Sequence, residues 1–306
     1  MSEYIKLIDK PEVHAVLNEG ARAIDRHLYT YLKEEFCVSD EVLELCSRIE
    51  KYVHDNFNNF AKTKNGGYIY KSFDFKDNQT EVTYYIFHCK NAEEEKELIT
   101  TNEKASNAFS VYIDNGAMML ITVPVVFVDG VLDTRKLYDD IQHEASHIYQ
   151  QECSGHTYKE SEYNFATKFL YSSNECEKQL ARIVYLCHPT EQDAFVNGLY
   201  GYVMQALKQH KLPIDKDKIS AYQELKNLYA AYDFVQRNRD MDAMAQAIKN
   251  MQQNGVNWKI KKYLQQASEG IKEFERKIFR VLLKCQNDAR LLGYNVRGRI
   301  PNAWLF

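Results

Sequence analysis

The sequence predicts an α+β fold: a small, mostly antiparallel sheet covering one long helix, followed by a large all-helical C-terminal half. Three observations predict it. Between residues 68 and 128, β-branched and aromatic residues fall in short runs separated by turn signals. From Ser161 onward, apolar residues recur every three or four positions almost without interruption. Between these regions, Leu137, Ile141, Ala145 and Ile148 draw an apolar stripe at helical spacing across residues 133–151.

Taken in order, residues 11–62 read as helical. Pro11 opens one helix and Ser39 caps a second, along which Leu45, Ile49, Val53, Phe57 and Phe60 share a face. Asn65-Gly66-Gly67 ends that pattern. Tyr68–Phe75 and Val82–Cys89 read as strands joined by a turn over residues 76–80. The acidic run Asn91–Lys96 reads as a solvated helix or loop. Phe109–Ile113 and Ala117–Val123 flank Asp114-Asn115-Gly116, whose Asn-Gly pair suits the positive φ angles of a type I′ hairpin turn. Pro124 interrupts the apolar run to Val128. A proline cannot donate to a ladder, so this strand is expected at the sheet edge or leaving the sheet there. Such an edge beside the next helix would accept an extended peptide through main-chain hydrogen bonds; the equal alternative is that Ala117–Val128 is simply a core strand. Asp129-Gly130 then turns the chain.

Beyond Ser161, helices are expected near 161–186, 190–210, 217–236, 239–252 and 257–289, separated by Pro189, Leu212-Pro213 and Asn254-Gly255. In the last of these, Ile260, Leu264, Ala267, Ile271, Phe274, Ile278, Val281 and Cys285 form a heptad-like seam. It reads as an intramolecular packing face, so a monomer is expected. The tail Gly293–Phe306, with Pro301, Trp304, Leu305 and Phe306, is expected to fold back on the body. These divisions give a helical lead-in (1–64), a core (65–210) and a helical C-terminal region (211–306).

Composition excludes several classes. A net charge of −4 without a basic tract leaves no footprint for nucleic acid. There is no apolar run of signal-peptide length at the N-terminus, and no stretch approaches a membrane span. The seven cysteines are scattered and lack C-x-x-C pairs, so they read as reduced thiols. The expectation is a cytoplasmic protein with neither nucleic-acid nor membrane partners.

The chemistry concentrates in His143-Glu144-Ala145-Ser146-His147. On a helix, positions i and i+4 share a face, so both imidazoles can point at one ion. Glu144 then reaches a metal-bound water without being a ligand itself. Asp133 or Thr134 can cap the helix, and Asp139 and Asp140 precede the motif. Two histidines do not complete a catalytic zinc site, which takes three protein ligands and one open position. Cys153 and His156 are nearby candidates for the third ligand.

Residues Ile141–Tyr149 resemble the zincin metallopeptidases in the uncharged pattern around H-E-x-x-H, although Asp140 stands where that family has an uncharged residue. The metzincin branch would need glycine at 150 and histidine at 153; the chain has Gln150 and Cys153. The gluzincin branch implies a glutamate ligand from a later helix. Glu175 follows Asn174, an echo of some family members. Glu191 lies in Pro189-Thr190-Glu191-Gln192-Asp193-Ala194, which looks like the Pro-x-Glu-x-x-Ala arrangement of small bacterial and phage zincins. Glu191 is preferred, because small Ala194 on the same face lets two helices approach, and 44 residues after His147 leave room for one intervening helix. Asp193, Asn197 and the unused glutamate are candidates to orient the ligands. Tyr200, Tyr202, His156 and His210 are candidate partners for a developing oxyanion. The resemblance covers roughly residues 141–200. It implies a zinc-dependent metallopeptidase with one Zn2+ per chain, Glu144 as general base, and a peptide or protein substrate. The alternatives are a catalytically vestigial module of the same fold and a zinc hydrolase of a non-peptide amide.

Overall fold

The sheet and its flanking helices explain why one helix can present two histidines to another. The computed structural model describes residues 40–75, 78–106, 108–113, 118–153, 162–209, 214 and 216–294. Pro11, Ser39, the Asp114-Asn115-Gly116 turn, His156, His210 and the tail beyond residue 294 lie outside them. Residues Val38–Phe306 form one compact unit.

Among the described residues the fold is α+β. Helices α1 (Asp40–Asp55) and α2 (Phe57–Lys62) lead into strands β1 (Tyr68–Phe75) and β2 (Asn78–Cys89). Strand β2 begins four residues before the expected Val82. Helices α3 (Ala92–Thr101) and α4 (Glu103–Ser106) follow, then strands β3 (Phe109–Ile113), β4 (Met118–Val128) and β5 (Val131–Leu132). The acidic run is thus the start of a helix, with Asn91 as its cap: the side chain accepts from the amides of Glu93 and Glu94. The sheet order is β1-β2-β4-β3, with β5 also on β4.

The sheet is mixed: three of its four ladders are antiparallel, in keeping with the expectation, but its longest, β2 with β4, is parallel from Gln79↔Met118 to Cys89↔Val128. Parallel neighbours need a crossover, and α3, α4 and β3 supply it. Hairpin signals in a sequence report only antiparallel neighbours. Strand β4 lies inside the sheet where β3 pairs with it, from Met118 to Thr122, and is one-sided only around Pro124, as the proline suggests. Pro124 is tolerated because pairing to β3 ends at Thr122 and pairing to β5 starts at Phe127. Between those points β4 is paired on the β2 side alone among the described residues, so a missing N–H there costs no ladder bond. The β4–β5 hairpin is made by Asp129 and Gly130, both at positive φ (50° and 71°), as a type I′ turn requires.

One sheet face carries Val82, Tyr84 and Ile86 from β2, and Ile121, Val123, Val125 and Phe127 from β4. It packs with Val42, Leu45, Ile49, Val53 and Phe60 of α1 and α2. Helix α5 (Thr134–Cys153) lays Leu137, Ile141, Ala145 and Ile148 into the same core. Burying each leucine or isoleucine is worth about 1.5–3 kcal/mol, which commits this face of α5 to the sheet and turns the opposite face outward from it. Asp133 starts the helix: its carboxylate accepts from the Arg135 amide at 3.1 Å and from the Arg135 guanidinium at 2.8 and 2.9 Å.

The C-terminal half is helical as the periodicity predicts, with one break. The expected 161–186 helix is split into α6 (Glu162–Thr167) and α7 (Glu175–Leu186), the second capped by Asn174. Then come α8 (Pro189–Lys208), α9 (Ser220–Arg237), α10 (Met241–Gln253) and α11 (Ile260–Leu291). Helix α11 buries Ala267, Ile271, Phe274, Ile278, Val281 and Cys285 against neighbouring helices, including α8.

Helix α8 lies antiparallel on α5. At one end Gln205 and Gln209 donate to the Thr134 hydroxyl; at the other the Gln150 amide donates to the Thr190 carbonyl. Between them α8 offers Gly198 and Gly201. A Cβ at Gly198 would sit 2.8 Å from the Asp139 carbonyl oxygen, and one at Gly201 would sit 3.0 Å from the Tyr138 carbonyl oxygen. The two backbones meet there.

Two predictions follow from this packing. A glycine in the middle of an exposed helix gains about 1 kcal/mol on replacement by alanine. At Gly198 the neighbour is backbone, and overpacking costs roughly 1–3 kcal/mol. Gly198→Ala is therefore expected to lower stability by on the order of 1 kcal/mol in urea unfolding, the opposite sign to an exposed site. The second concerns Glu50 on α1. Burial pushes its carboxyl from 4.5 up to about 8, against the opposing Tyr138 hydrogen bond and Lys208 charge. The native state keeps a proton there that the unfolded chain releases above its lower pKa. This contribution to stability is thus lost as pH rises from about 4.5 to about 8. Glu50→Gln mimics the protonated form and should flatten that decline in thermal melts at pH 5 and 8; an unchanged slope would remove Glu50 as its source.

Candidate metal centre

The face of α5 turned away from the sheet carries His143 and His147. Helix α8 begins at Pro189, whose fixed φ and absent N–H suit the first helical position, and so places Glu191 in its first turn, where the helix dipole favours a carboxylate. The start of α8 is held rigidly. The buried Gln192 amide donates to the carbonyls of Leu186 at 2.9 Å and Gly270 at 3.0 Å. Ala194 is fully buried.

The result is a group of three donors, His143, His147 and Glu191, with one ligand atom from each lying within 4.8 Å of the others. The two histidine Nε2 atoms are 3.2 Å apart. His147 Nε2 is 3.5 Å from Glu191 Oε1, and His143 Nε2 is 3.9 Å from Glu191 Oε2. A tetrahedral ion with bonds of about 2.0–2.1 Å holds its ligand atoms about 3.3–3.4 Å apart. The donor set and its spacing fit such an ion. Glu191 is 2% exposed.

The surroundings tune each member. Burial lowers the His143 pKa well below 6.5, aided by the charges of His147 and Lys136, so its ring is a neutral donor. Phe195 packs against that ring, centroid to centroid 4.5 Å. For His147 burial also lowers the pKa, but Glu191, Glu144 and the Gln150 hydrogen bond outweigh it and leave the value raised. Glu144 is not one of the three donors. Burial pushes its carboxyl up to about 7, while His147 and a hydrogen bond from Ser110 on β3 oppose the rise. It is a buried carboxylate beside the ion position, poised near neutrality.

The other residues singled out by sequence fall elsewhere. Glu175 pairs with Lys178 and Gln179 at the start of α7, outside the donor group. Asp193 bonds Lys277 of α11 at 2.6 Å. The Tyr200 hydroxyl donates to Asp288 of α11 at 2.8 Å. At about 100° per residue, both lie roughly opposite Glu191 around α8 and engage α11. Tyr202 is fully buried with the Arg135 guanidinium over its ring. Asn197 donates to the Ser146 hydroxyl at 2.8 Å, which in turn donates to the Gln142 carbonyl. It braces α5 through that hydroxyl. Cys153 and His156 contribute no described side chain.

Four contributing residues escaped the sequence reading. Gln150 accepts from His147 Nδ1 at 3.0 Å. It stands three residues after His147, a spacing that shares a helix face, so the signal was present. Gly198 and Gly201 continue the stripe of Glu191 and Ala194 at i, i+7 and i+10, also a readable pattern. Ser110 comes from the sheet and has no local signal.

Comparison of the chain with protein-family models, curated proteins and solved structures finds no match. Among the described residues no helix is long and apolar enough to cross a membrane. Among the described side chains, Cys46, Cys89, Cys176, Cys187 and Cys285 are free and buried.

One electrostatic feature beneath the centre is testable. Lys136 is ion-paired with Asp140 and lies 3.9 Å from Asp139, and both carboxylates are buried. Burial raises both their pKa values, and Lys136 offsets this. Removing the cation leaves two acids facing each other in the core. Lys136→Met is expected to cost roughly 3 kcal/mol, the low end for breaking a buried pair, since the lysine side chain keeps 30% exposure. A urea-derived loss below about 1 kcal/mol, the level of surface pairs, would contradict this.

Proposed function

We propose that this chain is a zinc-dependent metallopeptidase. The observation that carries the reading is the convergence of His143, His147 and Glu191 from two helices onto one point, with the buried carboxyl of Glu144 close enough to feel the charges of His147 and Glu191. Two imidazoles and a carboxylate make the donor set of many catalytic zinc sites. Zinc bound there would supply a Lewis acid for a carbonyl and a water with its pKa lowered to about 7.

The chain's own residues do the rest. Glu144 takes a proton from the water as the water oxygen bonds to the scissile carbonyl carbon. It then returns that proton to the nitrogen as the carbon–nitrogen bond breaks. Ser110 holds Glu144 by a hydrogen bond, and Ser110 belongs to β3, the sheet edge. That edge, rather than β4, borders the reacting groups. Among the described residues β3 pairs only with β4, which favours an extended peptide over a compact amide as substrate.

The test compares variants purified under identical zinc conditions. The wild-type chain should carry one zinc and cleave an unstructured protein. Glu144→Gln should keep its zinc and lose cleavage by about 10²–10⁴-fold. Glu191→Ala, His143→Ala and His147→Ala should lose most zinc and all cleavage, because two protein ligands hold the ion far more weakly. Glu175→Ala should keep both. A Glu144→Gln protein without metal, or a Glu191→Ala protein with full metal, defeats the assignment.

A further inference from the structure

We propose that Gln150 is a positioning residue for the metal centre: it selects which nitrogen of His147 faces the ion and ties that choice to the start of the helix that carries Glu191. The inference rests on the zinc reading above.

The Thr190 carbonyl lies 2.9 Å from the Gln150 amide nitrogen. A carbonyl only accepts, so the nitrogen of the Gln150 amide must face Thr190. The oxygen of the same amide then faces His147, 3.0 Å from Nδ1. That oxygen only accepts, so Nδ1 must bear the hydrogen. In the neutral ring the lone pair is therefore on Nε2, the atom 3.2 Å from His143 Nε2 and 3.5 Å from Glu191 Oε1. The other tautomer would set two lone pairs against each other at Nδ1 and aim an N–H at the ion position.

The same amide has a second effect. Thr190 immediately precedes Glu191, so Gln150 links the histidine on α5 to the backbone beside the carboxylate on α8. Rotation of the imidazole and sliding of the two helices are restrained by one side chain. Partners of this kind, one bond removed from the metal, are typically worth about 10–100-fold in affinity.

The test uses the full chain with 15N-labelled histidine. Gln150→Met keeps the length and bulk of the side chain but neither accepts from His147 nor donates to Thr190. Gln150→Glu keeps the acceptor and loses the donor. In zinc-free protein, at a pH where the rings are neutral, long-range 1H–15N correlation should show His147 protonated on Nδ1 in the wild type and in Gln150→Glu. Gln150→Met should show the other tautomer or a mixture. Zinc titration should give a Kd about 10–100-fold weaker for Gln150→Met, with Gln150→Glu between it and the wild type. Thermal melts check that each variant folds; should Gln150→Met fail to fold, Gln150→Asn, too short to span the two partners, makes the same comparison. A variant lacking the acceptor that keeps the wild-type tautomer or the wild-type zinc affinity overturns the proposal and leaves the zinc reading standing. Absence of zinc binding by the wild-type chain overturns the zinc reading, while the tautomer comparison still decides whether Gln150 orients the ring.

Discussion

Everything at the centre depends on how closely two antiparallel helices approach. A glutamate side chain is short, and packed helix axes are ordinarily 8–10 Å apart. Glu191 reaches both imidazoles because α8 presents Ala194, Gly198 and Gly201 to α5, and at the glycines no Cβ separates the backbones. Polar clasps at both ends, Thr134 with Gln209 and Gln150 with Thr190, set the axial register. The sheet holds the far side of α5, so the motif helix is fixed from two directions while its histidines keep one open side.

That geometry places buried acids around a pair of histidines. Glu144 and Glu191 flank the rings, and Asp139 and Asp140 lie one to two turns earlier on α5, offset by Lys136. A carboxylate out of water is costly unless it is paired or protonated, which is the direction of the shifts at Glu144, Asp139 and Asp140. A divalent cation at the three donors would reverse that pressure at Glu144. The same burial that destabilises the acids makes the position attractive to a cation, and it keeps His143 neutral for binding.

Much of this was legible in the sequence, for identifiable reasons. The four-residue step from His143 to His147 fixes their common face, and the apolar stripe through Leu137, Ile141, Ala145 and Ile148 fixes the opposite one. Pro189 marks the start of α8, and Ala194 marks its close side. Helical phase also carried information that was not used: it turns Asp193 and Tyr200 toward α11, and it aligns Gly198 and Gly201 with Glu191. What no local pattern could show is the parallel pairing of β2 with β4. Pairing across a crossover depends on contacts far apart in sequence, and so does the hydrogen bond from Ser110 to Glu144. Pro124 marks the one-sided stretch correctly, but it does not tell that β3 and β5 pair with the strand on either side of it.

That one-sided stretch of β4 is also a buried one. Between Thr122 and Phe127 the strand has β2 on one flank, while among the described residues β3 has ended and β5 has not begun. Ile121 to Val125 are all buried, Pro124 among them. A buried backbone N–H without a partner costs about 1–3 kcal/mol. Proline has no such N–H. The residue that looks like an interruption of the strand therefore spares the core an orphaned donor.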